Sequence, residues 1–166
     1  FSYCQPYVWD SSKVMPPEIF IGRQEELEKI ESPSGVNIVY GGRQLGKSAL
    51  LKKAKMDIDF DENNNRAVYI EIKGMDYERA AKKICCELYD AGVLKEEIDT
   101  TDWDVLARAI KKRLLDDKEE RIPYLLLLLD EADTFIESCT EVNFKPFDAL
   151  KEIQNIGMDR FKFVIA

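Results

Sequence analysis

Leu125 to Leu129 are five consecutive leucines, entered from Tyr124 and left through Asp130 and Glu131, and no other stretch limits the folding choices of this chain as strongly. The run is continuously apolar rather than alternating, so both faces of the segment must be covered. That is the pattern of a strand inside a parallel sheet with helices on either side. It is also far shorter than the roughly 20 apolar residues needed to cross a bilayer, and no longer run exists, so no membrane span is expected. A carboxylate placed directly after such a strand is costly unless something neutralises it.

The other segments fit the same frame. Residues 36–40, 67–72 and 161–166 are short apolar or β-branched runs and read as further strands. Between them lie helical patterns. Residues 22–30 form a short helix, with Leu27 and Ile30 on one face, broken by Ser32-Pro33-Ser34-Gly35. A second helix runs from Lys47 to about Met56, followed by an acidic and Asn-rich loop over 57–66. Tyr77, Ala81, Ile84, Leu88 and Ala91 repeat at helical spacing, with Gly92 where a C-terminal cap belongs. Trp103, Leu106, Ile110 and Leu114 do the same, with Thr100 or Thr101 as N-cap. Pro146 suits the first turn of a last helix through Phe147, Leu150 and Ile153. The expected fold is therefore α/β, a three-layer α/β/α arrangement around a mainly parallel sheet. It occupies residues 18–166, after an irregular lead-in over 1–17 that carries Tyr3, Tyr7 and Trp9.

The chain has 166 residues, 45% of them hydrophobic, with 24 basic and 32 acidic side chains, a net charge of −8 and no histidine. The acidic balance argues against electrostatic nucleic-acid binding. The basic triplet Lys111-Lys112-Arg113 is followed by Asp116-Asp117-Lys118-Glu119-Glu120 and reads as a solvated helix end. Four cysteines, two of them adjacent (Cys85 and Cys86), fit neither a disulfide framework nor a zinc site, so they read as free thiols in a reducing cytoplasm. No signal peptide is readable at the N-terminus. The start at Phe1 and the end in an apolar run suggest a piece of a longer protein.

Gly41-Gly42-Arg43-Gln44-Leu45-Gly46-Lys47-Ser48 matches G-x-x-x-x-G-K-[ST] between an expected strand and an expected helix. Glycines let backbone N–H groups turn inward around phosphate oxygens, and the following helix, continuing through Ala49, points its positive end at the anion. Lys47 would bridge the outer phosphates, and Ser48 would offer its hydroxyl to Mg²⁺. At the end of the leucine strand, Asp130 would be the metal-side carboxylate, acting through water, and Glu131 would orient the attacking water. Successive strand side chains point in opposite directions, which would keep these two roles apart. The string Asp130-Glu131-Ala132-Asp133 suggests a helicase, but no other helicase signature accompanies it, and Asp133 reads as a helix-capping or surface carboxylate.

With both halves of this site placed, the chain resembles P-loop ATPases of the AAA+ class, nearest the origin-recognition-like and STAND-type branch. The third block behind the resemblance is Phe20-Ile21-Gly22-Arg23-Gln24-Glu25-Glu26-Leu27, upstream of the glycine-rich turn. The resemblance implies a sheet order 5-1-4-3-2 and adenine packing near Phe20 and Ile21. It also implies ATP or ADP with Mg²⁺ as ligands, and Glu131 and Lys47 as catalytic groups. Arg23 and Arg43 read more simply as salt-bridging to the abundant acids. Relatives usually carry a sensor residue, a last strand and a helical lid, so this domain reads as incomplete at its C-terminus and, alone, a slow hydrolase. The expected function is an ATPase module that couples nucleotide binding and hydrolysis to conformational change in a larger protein. Its partners would be the nucleotide, a second copy, or other domains of the same chain. The alternatives are a slowly hydrolysing STAND-like switch and, more weakly, a P-loop small-molecule kinase, which has no need of Glu131.

Overall fold

The computed structural model describes residues 47–60, 63–116, 120–157 and 159–166, with the helical positions Glu28 and Glu31. The elements in chain order are α1 (Lys47–Asp59), β1 (Arg66–Glu71), α2 (Tyr77–Asp90), α3 (Trp103–Leu115), β2 (Leu125–Asp130), α4 (Asp133–Cys139), α5 (Lys145–Ile153) and β3 (Phe161–Ile165). The strand expected over 36–40 and the helix and breaker over 22–35, apart from Glu28 and Glu31, lie outside the described residues. So does the lead-in over 1–17.

The leucine strand β2 is the centre of a parallel sheet ordered β1-β2-β3. Leu125 to Asp130 pair with Arg66 to Glu71 on one edge, and Leu125 to Leu129 with Phe161 to Ile165 on the other. Alternation then divides the leucines. Leu125, Leu127 and Leu129 join a core with Ile84 and Leu88 of α2, Leu106 and Ile110 of α3 and Leu150 of α5. Leu126 and Leu128 meet Leu50, Leu51 and Ala54 of α1 on the opposite face. Helices thus cover both faces, as the uninterrupted apolar run requires. Trp103, Phe135 and Phe147 continue the larger core as a chain of rings with centroids 5.5 and 5.7 Å apart.

Gly92 takes φ +77° just past α2, and Val93 N–H reaches back to Leu88 O at 2.9 Å, the expected left-handed ending. Pro146 sits in the first turn of α5. The cap of α3 is Asp102, not a threonine: its carboxylate accepts Asp104 N–H at 2.9 Å, while Thr100 Oγ1 instead holds Asp102 N–H. Helix α1 runs three residues past Met56, its last turns tied by i,i+4 ion pairs from Lys53 to Asp57 and Lys55 to Asp59.

Arg113 is the clearest correction. It is buried rather than solvated, with Nε donating to Val93 O at 2.8 Å and Nη2 to Glu120 O at 2.7 Å. Arg160 likewise donates to Pro123 O at 2.9 Å and Leu114 O at 2.5 Å, so the two guanidiniums hold carbonyls at the end of α3 and before β2. Cys86 is exposed, whereas Cys85 and Cys139 are buried; burial, the largest cause, pushes these two thiols up to about 11 and about 12. Neither is a thiolate nucleophile near neutral pH.

Glu31 contacts α1 through a hydrogen bond with Asp57, which Lys53 also engages at 2.9 Å. Burial, that hydrogen bond and the Asp57 charge raise the Glu31 carboxyl from 4.5 to about 8. A carboxyl raised on folding adds stability that is complete below its unfolded value and disappears as pH rises through its folded value. Between pH 5 and 8 the parent protein should therefore lose thermal stability relative to Glu31→Gln, which keeps a neutral donor at all pH values. Parallel melting curves across that interval would read this, and equal slopes would contradict it.

Candidate functional site

Ser48 and Asp130 are 82 positions apart in sequence, yet Ser48 Oγ donates to Asp130 Oδ2 at 2.5 Å. The fold explains the meeting. Leu50, Leu51 and Ala54 seat α1 against Leu126 and Leu128, which brings its first turn over the C-terminal edge of β2. Asp130 follows those two leucines by strand alternation, so its side chain belongs to the same face. Ligands of open parallel sheets bind at this edge.

Asp130 is 2% exposed, and three donors surround its carboxylate. Oδ2 accepts from Ser48 and also from the hydroxyl of Tyr69 on β1. Oδ1 accepts the Glu131 N–H at 2.9 Å. Tyr69 pairs with Leu128 in register and reaches Asp130 along the diagonal, within range of a long side chain. Burial, then the hydrogen bond and charge of Asp130, raise the Tyr69 phenol, so it remains a donor at any physiological pH. The Lys52 ammonium lies 5.4 Å from the centre of the Tyr69 ring.

Tyr69 is the residue that sequence reasoning missed. Its signal was modest: one hydroxyl-bearing ring in the otherwise aliphatic centre of Arg66-Ala67-Val68-Tyr69-Ile70-Glu71. The ring is half-buried, and its hydroxyl finds an acceptor on a strand far away in sequence.

Glu131 corrects a second expectation. Strand β2 ends at Asp130, and Glu131 has left-handed backbone geometry with φ 56°. The divergence of the two carboxylates therefore comes from a turn and not from strand alternation. Asp130 is held in the interior while Glu131 is exposed. Asp133 is exposed and opens α4, whose N-cap position is Ala132 without a side-chain cap. It adds negative charge to the first turn but is not the cap itself.

Of the remaining expected site residues, Ala49 is half-buried in the first turn of α1, and Lys47 begins that helix. The Lys47 side chain, Gly41, Gly42, Arg43, Gln44, Leu45, Gly46, Phe20 and Ile21 lie outside the described residues. Among the described residues no group of three or more His, Cys, Asp or Glu forms a ready cation cage. The Ser48 hydroxyl and Asp130 carboxylate are hard oxygen donors suited to Mg²⁺. That ion keeps most of its waters and is commonly bound by one or two protein groups plus substrate phosphates. A cavity of about 510 Å³ near the start of β1 is lined by Lys55, Asp59, Asn64 and Arg66. These groups also support the local chain: Asp59 accepts Ala67 N–H, and Arg66 donates to Ala91 O.

No helix among the described residues is long and apolar enough to cross a membrane. Compared with protein-family models, with curated proteins and with solved structures, the chain matched none.

A non-glycine residue in the left-handed region carries a strain of about 1–2 kcal/mol, and such strain concentrates where function requires it. Replacing Glu131 by Gly removes that strain but adds about 0.5–1 kcal/mol of chain entropy loss. Glu131→Gly should thus leave stability unchanged or raise it by up to about 1.5 kcal/mol in denaturant titrations. Destabilisation beyond experimental error would mean that the Glu131 side chain is itself structural.

Proposed function

We propose that this protein binds ATP or ADP with Mg²⁺ at the C-terminal edge of β2, as an AAA+-like P-loop ATPase module. The observation that carries the reading is the contact between Ser48 and Asp130, the last residue of the glycine-rich motif meeting the acid that follows the leucine strand. The two motifs are far apart in sequence, and their convergence is a property of the fold. The sheet adds support. The described order β1-β2-β3, with the leucine strand in the middle, fits the 4-3-2 part of a sheet ordered 5-1-4-3-2.

In this reading the backbone of residues 41–46 and the Lys47 ammonium hold the phosphates. Ser48 directly and Asp130 through water would hold Mg²⁺, which would neutralise phosphate charge. Glu131, exposed and turned away from Asp130, orients and deprotonates the attacking water. The energy of binding and hydrolysis would move further domains of the same chain or a second copy. The buried, unpaired thiols suit a reducing cytoplasm.

Isothermal titration of ATP and ADP, with Mg²⁺ and with chelator, tests this reading. Binding should be measurable in the parent and weakened roughly 10- to 100-fold by Lys47→Ala, the worth of a charge-assisted bond. Within the full-length protein, Glu131→Gln should bind as the parent does and hydrolyse at least ~100-fold more slowly, as for loss of a general base. Heats indistinguishable from buffer at millimolar nucleotide would refute the proposal.

A further inference from the structure

We propose that Tyr69 is a positioning residue that competes with metal-bound water for Asp130, and so sets how much Mg²⁺ nucleotide binding requires. The inference rests on the nucleotide reading above and extends it to a residue outside both motifs. A carboxylate offers about four lone-pair positions. Three donors already meet Asp130: the Ser48 and Tyr69 hydroxyls on Oδ2 and the Glu131 N–H on Oδ1. The Glu131 N–H is fixed by the turn. Ser48 can keep donating to Asp130 while a lone pair of its oxygen faces the metal. On Oδ2 the two hydroxyls take both lone-pair positions, so a metal-bound water reaching that oxygen beside Ser48 would replace the Tyr69 hydroxyl.

The arrangement has a use in the absence of metal. A carboxylate that is 2% exposed cannot rely on solvent, and the Tyr69 hydroxyl supplies a partner when no metal-bound water is there. The ring stays close because β1 is hydrogen-bonded to β2 beneath it and Lys52 sits 5.4 Å from its centroid. Lys52 belongs to α1, one helical turn beyond Ser48, so the helix that carries the phosphate-side hydroxyl also holds the competing ring. Loss of the Tyr69 hydroxyl frees one acceptor position and leaves the ring in place.

The test is a Mg²⁺ titration of ADP affinity in the full chain, comparing the parent with Tyr69→Phe. The Mg²⁺ concentration giving half of the metal effect should fall about tenfold in the variant, the order expected for a hydrogen bond to a charged group. ADP affinity in chelator should not change. Lys52→Met, a surface substitution that loosens the ring without touching Asp130, should move the requirement in the same direction by less. A second readout uses the parent alone, labelled with ¹³C at the tyrosine ζ carbon. The resonance absent from Tyr69→Phe should shift with Mg²⁺ and ADP, and stay in place with ADP and chelator. An unchanged or higher Mg²⁺ requirement in both variants, or a stationary resonance, overturns the proposal while leaving nucleotide binding by the parent intact. No ADP binding by the parent overturns both readings.

Discussion

The structure depends on how one buried carboxylate is kept satisfied. Asp130 ends a strand of five leucines at 2% exposure, where an unpartnered charge would oppose folding by several kcal/mol. Its partners come from three places: the first turn of α1, the middle of β1, and the backbone of its own turn. Each partner requires a different part of the fold to be correct. Sheet pairing brings Tyr69, packing of α1 on the even leucines brings Ser48, and the left-handed turn at Glu131 brings an N–H. Local chemistry and global topology are bound together at this point.

The leucine strand makes that possible by its symmetry of burial. Helices α2, α3 and α5 cover its odd residues and α1 its even ones, and both edges are paired. A strand enclosed on four sides is a rigid platform, and rigid platforms hold functional groups more accurately than loops do. Asp130 and Glu131 sit at its exit, where the chain leaves the sheet and turns.

Much of this was legible in the residues. Continuous apolarity of 124–129 gave a buried parallel strand, helical spacing gave α2, α3 and α5, and Gly92 and Pro146 marked ends that the structure shares. What escaped was long-range or competitive. Asp102 took the cap of α3 from the neighbouring threonines, because a carboxylate accepts the early N–H groups at least as well. Arg113 looked solvated within a run of charges, but its guanidinium reaches carbonyls that no local pattern reveals. Tyr69 is one aromatic among strand residues, and its acceptor is defined only by the pairing of β1 with β2. For the site, the pairing of Ser48 with Asp130 follows from the two motifs. The geometry of Glu131 does not, since alternation fails once the strand has ended.

The central claim is that Ser48 and Asp130 act as one unit in Mg²⁺-dependent nucleotide binding. A double-mutant cycle with Ser48→Ala, Asp130→Asn and the double variant measures this directly, with the Mg²⁺-dependent part of ADP affinity as the readout. A shared site makes the two losses non-additive, with a coupling energy of about 0.5–3 kcal/mol, because either substitution breaks the same arrangement. Losses that simply add, or a metal effect that survives in the double variant, would contradict the account.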